Sequence, residues 1–418
     1  MKLKLVNPWI VCLAASSFFF YQFLQIALFN VLKPNLMVAF NTSSSSLSIV
    51  SSLYFYGTIL FLIPAGILLD NLSTRTIILS AMLISLLGLG IFTCANDVYV
   101  AGLGRFIIGI SGGPFGLQSI IRLASRWFPE NRMAFITGVI VAIGMVGGVI
   151  SQAPFTLLID AYGWKNAMLA NLGLGLLLSL VLFMFVHDYP PGKKQEFLQQ
   201  QAYYRRNGFV KGLSKVILKT QNWYCGLFAS LLNLPIFILG ALWGIMYLTQ
   251  EQELSSVAAS AVCSMLFIGM IIGSPVFGFI SDKLRLRKFP MLVGIVICLA
   301  AMLMLNQNAV LSTSALMCIF LLIGFGSSSQ ILAYPTVTEI NPSALTGSSL
   351  GLASTLIMSG GAVFQPIVGW LDDFNQDYVI YCMAVCLFLS GVVAYFINET
   401  YCRRSLLVPV SVPARAIS

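Results

Sequence analysis

Gly66-Ile-Leu-Leu-Asp70-Asn71-Leu72-Ser73-Thr74-Arg75 and Gly278-Phe-Ile-Ser-Asp282-Lys283-Leu-Arg285-Leu-Arg287-Lys288 share a glycine, three residues, an aspartate and basic residues beyond it. Each closes one long apolar run and opens the next. The same shift, from 66 to 278, carries Gly57 onto Gly269, Pro154 onto Pro366 and Asp160 onto Asp372. It drifts by one to three residues where Gly109 meets Gly324, Pro129 meets Pro342 and Gly138 meets Gly351. A nearly constant offset through so many elements reads as an ancient duplication, and internally repeated halves are a recurrent plan of membrane transporters.

Composition supports that plan. Of 418 residues, 58% are hydrophobic and only 9% charged, against roughly 25% charged in soluble domains. So few charges cannot cover a soluble surface, and lipid is the expected solvent. About 20 apolar residues cross the hydrocarbon core, and runs of that kind fall at 9–38, 47–70, 76–95, 98–126, 132–160, 165–186, 221–249, 256–281, 289–306, 312–338, 344–371 and 377–398. The expected fold is all-α and integral to the membrane: twelve transmembrane helices in two pseudo-symmetric six-helix halves. Residues 1–186 form the first bundle, 187–220 a linker, 221–398 the second bundle and 399–418 a tail.

Charge placement orients the chain. Of 23 Lys and Arg, all but Lys33, Arg105 and Lys165 fall at the chain start, in alternate loops, in the linker or in the tail. Positive loops stay inside, so both termini are expected in the cytoplasm. The formal charge of +9 then needs no nucleic-acid partner. Met1 to Leu5 leads into a long apolar run without a small-residue cleavage site, which reads as a first span rather than a signal peptide. The linker, basic from Lys193 to Lys219, reads as a solvated loop or as an amphipathic helix on anionic headgroups. Nine scattered cysteines show no disulfide framework, and Cys382 with Cys386 reads as a pair of apolar thiols. The lone histidine, His187, sits at a span boundary, Gly102-x-Gly104 and Gly324-x-Gly326 lie within helices, and no P-loop occurs. Enzymatic chemistry, a resident cofactor or metal, and a built-in ATP motor are therefore not expected.

The two opening loops resemble the signature of the major facilitator superfamily between its second and third helices, echoed between the eighth and ninth. The first copy departs from it, with Asn71 at the basic position and Ser73 at the usual glycine. Arg105-Phe-Ile-Ile-Gly109-Ile-Ser-Gly112-Gly113 is similar to the family's fourth-helix motif. Gly138, Gly144, Gly147, Gly148 and Ala153-Pro154, with Gly351, Gly360 and Gln365-Pro366-Ile-Val-Gly369, resemble its fifth-helix motif without the Gly-Pro pair; Trp127-Phe-Pro129-Glu130-Asn131-Arg132 is also similar. The resemblance spans about 9–398. It implies a conformational latch from Gly66, Asp70, Arg75, Gly278, Asp282 and Lys283, with Asp70 against the start of span 11 near Ser343 and Asp282 against the start of span 5 near Arg132.

In that fold, spans 1, 4, 7 and 10 line the cavity, so their polar residues are the candidate solute contacts. Gln22, Gln25, Phe29 and Lys33 share one stripe of span 1. Arg105 and Gln118 follow on span 4, Asn233, Trp243 and Tyr247 on span 7, Gln330 and Tyr334 on span 10, and Gln365 on span 11. The bland reading makes the amides helix bridges, the Trp and Tyr an interfacial belt, Lys33 a snorkelling residue and Arg105 a ligand of helix carbonyls.

All fourteen acidic residues fall in loops or near span ends. No acid is then expected beside Lys33 or Arg105, which points to an anionic solute, carboxylate- or phosphate-bearing. Exchange or facilitated flow is expected at least as much as proton symport, with Asp160 and Asp372 as fallback proton sites. The reading is a secondary transporter in a bacterial inner membrane, monomeric in lipid and working by alternating access. Alternatives are a solute-sensing transceptor, a small-peptide or amino-acid facilitator, and a channel.

Overall fold

The computed structural model describes residues 7–129, 133–190, 216–305, 310–341 and 345–403. Among them there is no strand. The first half contains α1 (Pro8–Phe40), α2 (Ser44–Asn71), α3 (Thr74–Thr93), α4 (Val98–Trp127), α5 (Met133–Ile150), α6 (Ala153–Tyr162) and α7 (Trp164–Phe185). The second contains α8 (Thr220–Leu232), α9 (Gly244–Gln250), α10 (Ser256–Leu284), α11 (Lys288–Met304), α12 (Thr313–Ser327), α13 (Ala333–Ile340), α14 (Thr346–Phe374) and α15 (Gln376–Tyr395). Ten stretches are long and apolar enough to cross a membrane, counting α5 with α6 and α12 with α13 as one each. The 17-residue α11 and the interrupted α8–α9 pair complete twelve crossings.

Local chemistry sets where the helices begin. The side chains of Asn7, Ser43, Ser73, Asp97, Ser255, Ser312 and Asn375 each accept a hydrogen bond from a backbone N–H of the following first turn. Those donors have no partner within the helix itself. All these caps lie at the ends of the bundle, where span boundaries were expected.

Three crossings are interrupted inside the membrane, each beside a proline, which lacks an N–H and clashes with the preceding turn. The fifth breaks at Ser151 and Gln152 before Pro154. The seventh passes from α8 through Pro235 into a π-turn (Ile236–Gly240) before α9. The tenth tightens to a 3-10 turn (Ser328–Leu332) ahead of Pro335. Pro34, Pro64, Pro114, Pro275 and Pro366 leave their helices continuous.

The duplication recurs as paired physical contacts. A Cβ on Gly109 of α4 would collide with the backbone of Tyr54 on α2, and one on Gly324 of α12 with the backbone of Leu266 on α10. Gly57 meets Phe106 O in the first half as its counterpart Gly269 meets Leu321 O in the second. Small residues let backbones approach closely where lipid offers no hydrophobic drive between helices.

At the end of the bundle where α1 begins and α15 ends, a carboxylate just after the last helix of each half seals the start of that half's third helix. Asp188 accepts from the Ser73 hydroxyl and, at 3.0 Å, from Arg75 N, and pairs with Arg126 at 3.3 Å. Glu399 accepts from Arg287 N at 2.7 Å and Lys288 N at 2.9 Å. A negative charge there compensates both orphan donors and the helix dipole.

Of the residues expected to form the latch, those described make the following contacts. Asp282 faces Arg287 of its own loop at 2.8 Å, its side chain 68% exposed, and Arg287 also holds Glu339 at 2.7 Å. Lys283 lies over the Phe279 ring and nothing crowds Gly278. Arg75 serves its own half, reaching Phe183 O at 2.6 Å. Every described polar contact between the halves lies from the middle to the opposite, far end. Gly66 and Asp70 (side chains), Arg132, Ser343 and residues 191–215 of the linker lie outside the described residues, as does the tail from 404.

Gly109→Ala and Gly324→Ala should each destabilise the folded protein by about 1–3 kcal/mol, the usual cost of overpacking. Apparent Tm in detergent reads this out. Gly138→Ala, where a Cβ meets nothing within 4 Å, should leave Tm unchanged.

Candidate functional site

The interrupted seventh crossing lies at the centre, and three amide side chains hold its backbone. Asn30 of α1 donates to Leu239 O at 3.0 Å and accepts from Ile245 N at 3.2 Å. Gln152, at the break of the fifth crossing, donates to Gly240 O at 3.0 Å and to Ala27 O at 3.2 Å. Gln365 of α14 donates to Phe237 O at 3.0 Å. An interrupted helix frees carbonyls that hydrocarbon cannot satisfy, so an amide must reach them. Gln152 stands two residues before Pro154 and Gln365 directly before Pro366, so both copies of the duplicated proline segment feed one broken helix. Sequence reasoning passed over Asn30 and Gln152; the available signal was an amide inside an apolar span opposite a span punctuated by Pro235, Gly240 and Gly244.

Arg105 forms the second feature. It is 3% exposed, and Nη1 donates to the Gln25 carbonyl at 2.6 Å. Its guanidinium lies over the rings of Phe29 at 5.0 Å and Tyr54 at 5.2 Å, which supplies cation–π attraction without neutralising the charge. Nε and Nη2 have no hydrogen-bond partner, nor do the Tyr54 hydroxyl and both amide atoms of Gln22. No acidic side chain pairs with Arg105 among the described residues. Gly112 brings the last two together, since a Cβ there would meet Gln22 Oε1 and Tyr54 OH. A small cavity lined by Gln25, Phe29, Phe92, Arg105 and Met168 opens beside the guanidinium.

Lys33 departs from expectation. It is fully buried, with Nζ 3.9 Å from Asp372 Oδ2, and that carboxylate is only 3% exposed. Asp372 also accepts from the Ser44 hydroxyl and from Trp243 Nε1 at 2.6 Å. The expectation that no acid neutralises Lys33 is therefore wrong: α14 runs on to Phe374, and closure of the far end presses its last turn against α1 and α2 of the other half. Asp160, its counterpart in the repeat, is exposed.

The remaining candidates divide. Gln25 exchanges amide hydrogen bonds with Asn171 of α7 at 3.2 and 3.3 Å, a bridge inside the first half. Tyr247 donates to Leu305 O at 3.0 Å and stacks on Trp243, inside the second half. Asn233 Oδ1, Gln330 Oε1 and Gln365 Oε1 have no partner; Gln118 and Tyr334 are half-buried. Stripe position alone thus mixed bridges inside one bundle with groups whose hydrogen-bonding capacity is unspent.

A sequence profile of the Major Facilitator Superfamily matches residues 14–364. The chain belongs to that superfamily. It is a multi-pass integral membrane protein and a secondary transporter of a small-molecule solute, not an enzyme. As a member of the Major Facilitator Superfamily it is 24% identical to a D-galactonate transporter of Escherichia coli, over 90% of this chain and 93% of that one. It is 23% identical to a sialic acid transporter of the same species, over 78% and 76%. In fold it matches a bacterial homologue of the human lysosomal transporter Spinster, solved inward-facing and unoccupied, at TM-score 0.70 and 15% identity over 93% and 96% of the chains.

Gln152→Ala strips the Gly240 carbonyl of the broken helix of its side-chain donor, and a buried group left unpaired costs about 1–3 kcal/mol. The variant should show a lower apparent Tm in detergent. An unchanged Tm would mean that the amide does not hold the broken helix.

Proposed function

We propose that this transporter carries a small organic anion of the sugar-acid type by alternating access, and that Arg105 is the residue that receives its carboxylate. The observation that carries this reading is the buried guanidinium with two unpartnered nitrogens and no acid beside it. An isolated buried charge is costly, and an incoming carboxylate is the partner that fits a guanidinium fork. Gln22 and the Tyr54 hydroxyl, also unspent, suit the hydroxyls of a sugar acid. Lys33 gives weaker support, because its charge is already balanced. The relatives named for galactonate and sialic acid, both carboxylated sugars, point the same way.

In this reading the termini are cytoplasmic, in keeping with the basic loops on their side, and the membrane is the bacterial inner membrane. The far end is then the external face, closed here, and the bundles of 1–186 and 221–398 rock about the central site. Asp70 and Asp282 shift that balance from the cytoplasmic side rather than contact solute.

Proteoliposomes containing the purified protein should take up radiolabelled D-galactonate, with competition by D-glucuronate and none by uncharged D-galactose. Arg105→Gln should lower uptake by about tenfold or more, since a desolvated charge pair is worth several kcal/mol, while the protein still elutes as a folded species. Normal uptake by Arg105→Gln, or competition by galactose alone, would overturn the assignment.

A further inference from the structure

We infer that the transporter carries solutes with one negative charge and rejects those with two, and that Asp372 sets this limit by neutralising Lys33; this rests on the anion-transport reading. Lys33 and Arg105 are the buried cations inside the described spans, and their surroundings differ. The Arg105 guanidinium faces two aromatic rings, one carbonyl and unpartnered polar atoms, with no acid paired to it. The Lys33 ammonium has the Asp372 carboxylate at 3.9 Å. Asp372 is held in place by Ser44 from the first half and by Trp243 from the second.

The two cations address one region. Phe29, whose ring lies against Arg105, stands on α1 between Gln25, whose carbonyl takes Arg105 Nη1, and Lys33. Steps of four residues keep the three on one stripe, each step rising about 6 Å. Without Asp372, α1 would present a second free cation one turn beyond that ring. A six-carbon acid seated on Arg105 by one carboxylate could meet it with a carboxylate at the other end.

Charge decides what the closed far end can contain. With no solute present, Lys33 and Asp372 sum to zero wherever the proton between them sits, and Arg105, which stays charged, leaves one positive charge. A monoanion brings the site to neutrality. A dianion overshoots it, with its second carboxylate facing a cation that is already spent, and a net charge shut away from water is costly. Glu251, Asp373 and Asp377 at the same end are exposed, so water and salt screen them and they do not enter this sum. Selection therefore acts as the far end closes, through a carboxylate that need not touch the solute.

Galactarate is the matched probe, being galactonate with its terminal alcohol oxidised to a second carboxylate. Counterflow at pH 7.5, in proteoliposomes preloaded with the same unlabelled acid, reads carriage of each without an imposed gradient. The parent should exchange labelled D-galactonate about a hundredfold faster than labelled galactarate. Asp372→Asn frees Lys33 while its amide oxygen can still accept from Ser44 and Trp243; it should raise galactarate exchange by about tenfold or more. Asp372→Glu should keep the parent's preference. Lys33→Gln combined with Asp372→Asn removes both charges of the pair and should bring that preference back, which a merely structural loss at position 372 would not do. An Asp372→Asn protein that elutes as a folded species and still excludes galactarate overturns the charge rule, as does a double variant that admits galactarate as readily as the single one. Equal exchange of both acids by the parent also overturns it and leaves the Arg105 assignment standing. A parent that exchanges neither acid overturns the sugar-acid reading, and the charge rule with it.

Discussion

Hydrocarbon offers no partner to a backbone N–H or C=O, and this constraint governs the whole molecule. It explains why the described chain is helical from end to end and why capping side chains mark the limits of the spans. It also sets the terms on which a helix can be broken. The seventh crossing abandons α-helical bonding between Leu232 and Gly244, and Asn30, Gln152 and Gln365 replace what is lost. Asn30 and Gln152 belong to the first half, so the broken helix is also a joint between the halves.

The duplication makes each half a self-contained body. Gly109 against Tyr54 and Gly324 against Leu266 are one contact made twice, as are the carboxylate seals at Asp188 and Glu399. At the terminal end Arg75, Arg126, Asp188, Asp282, Arg287 and Glu399 make their described contacts within a half, whereas Asn30, Lys33, Ser44, Gln152 and Thr156 reach across from the middle to the far end. Across the seam the halves also meet through the packing of α2 on α14 and of α5 on α10, so on the alternating-access reading one half tilts against the other by exchanging these contacts while the packing inside each is kept.

Much of this plan was legible in the residues. Apolar length located the spans, and the repeat offset paired glycines that indeed make equivalent contacts. What single-span reading missed depends on how helices face one another. Asp372 looked like a loop residue because α14 extends a few residues beyond its apolar run, and only closure of the far end sets it beside Lys33. Gln25 shared a stripe with Lys33, yet it bridges to Asn171, because a helix packed on several neighbours has more than one polar face. Asp282 carried the motif, and among the described residues it pairs with Arg287 of its own loop.

The two carboxylate seals also bear on how the chain is made. Asp188 follows α7 and Glu399 follows α15, so each seal is supplied by the last residues of its half to leave the ribosome. Until the sixth crossing is threaded into the bilayer, the turn at Ser73 and Arg75 lacks the anion that holds it, and the same is true of Arg287 and Lys288 until the twelfth. Synthesis runs from the N-terminus, so the first bundle receives its fastening before the second has begun to emerge. Each half closes only when it is complete.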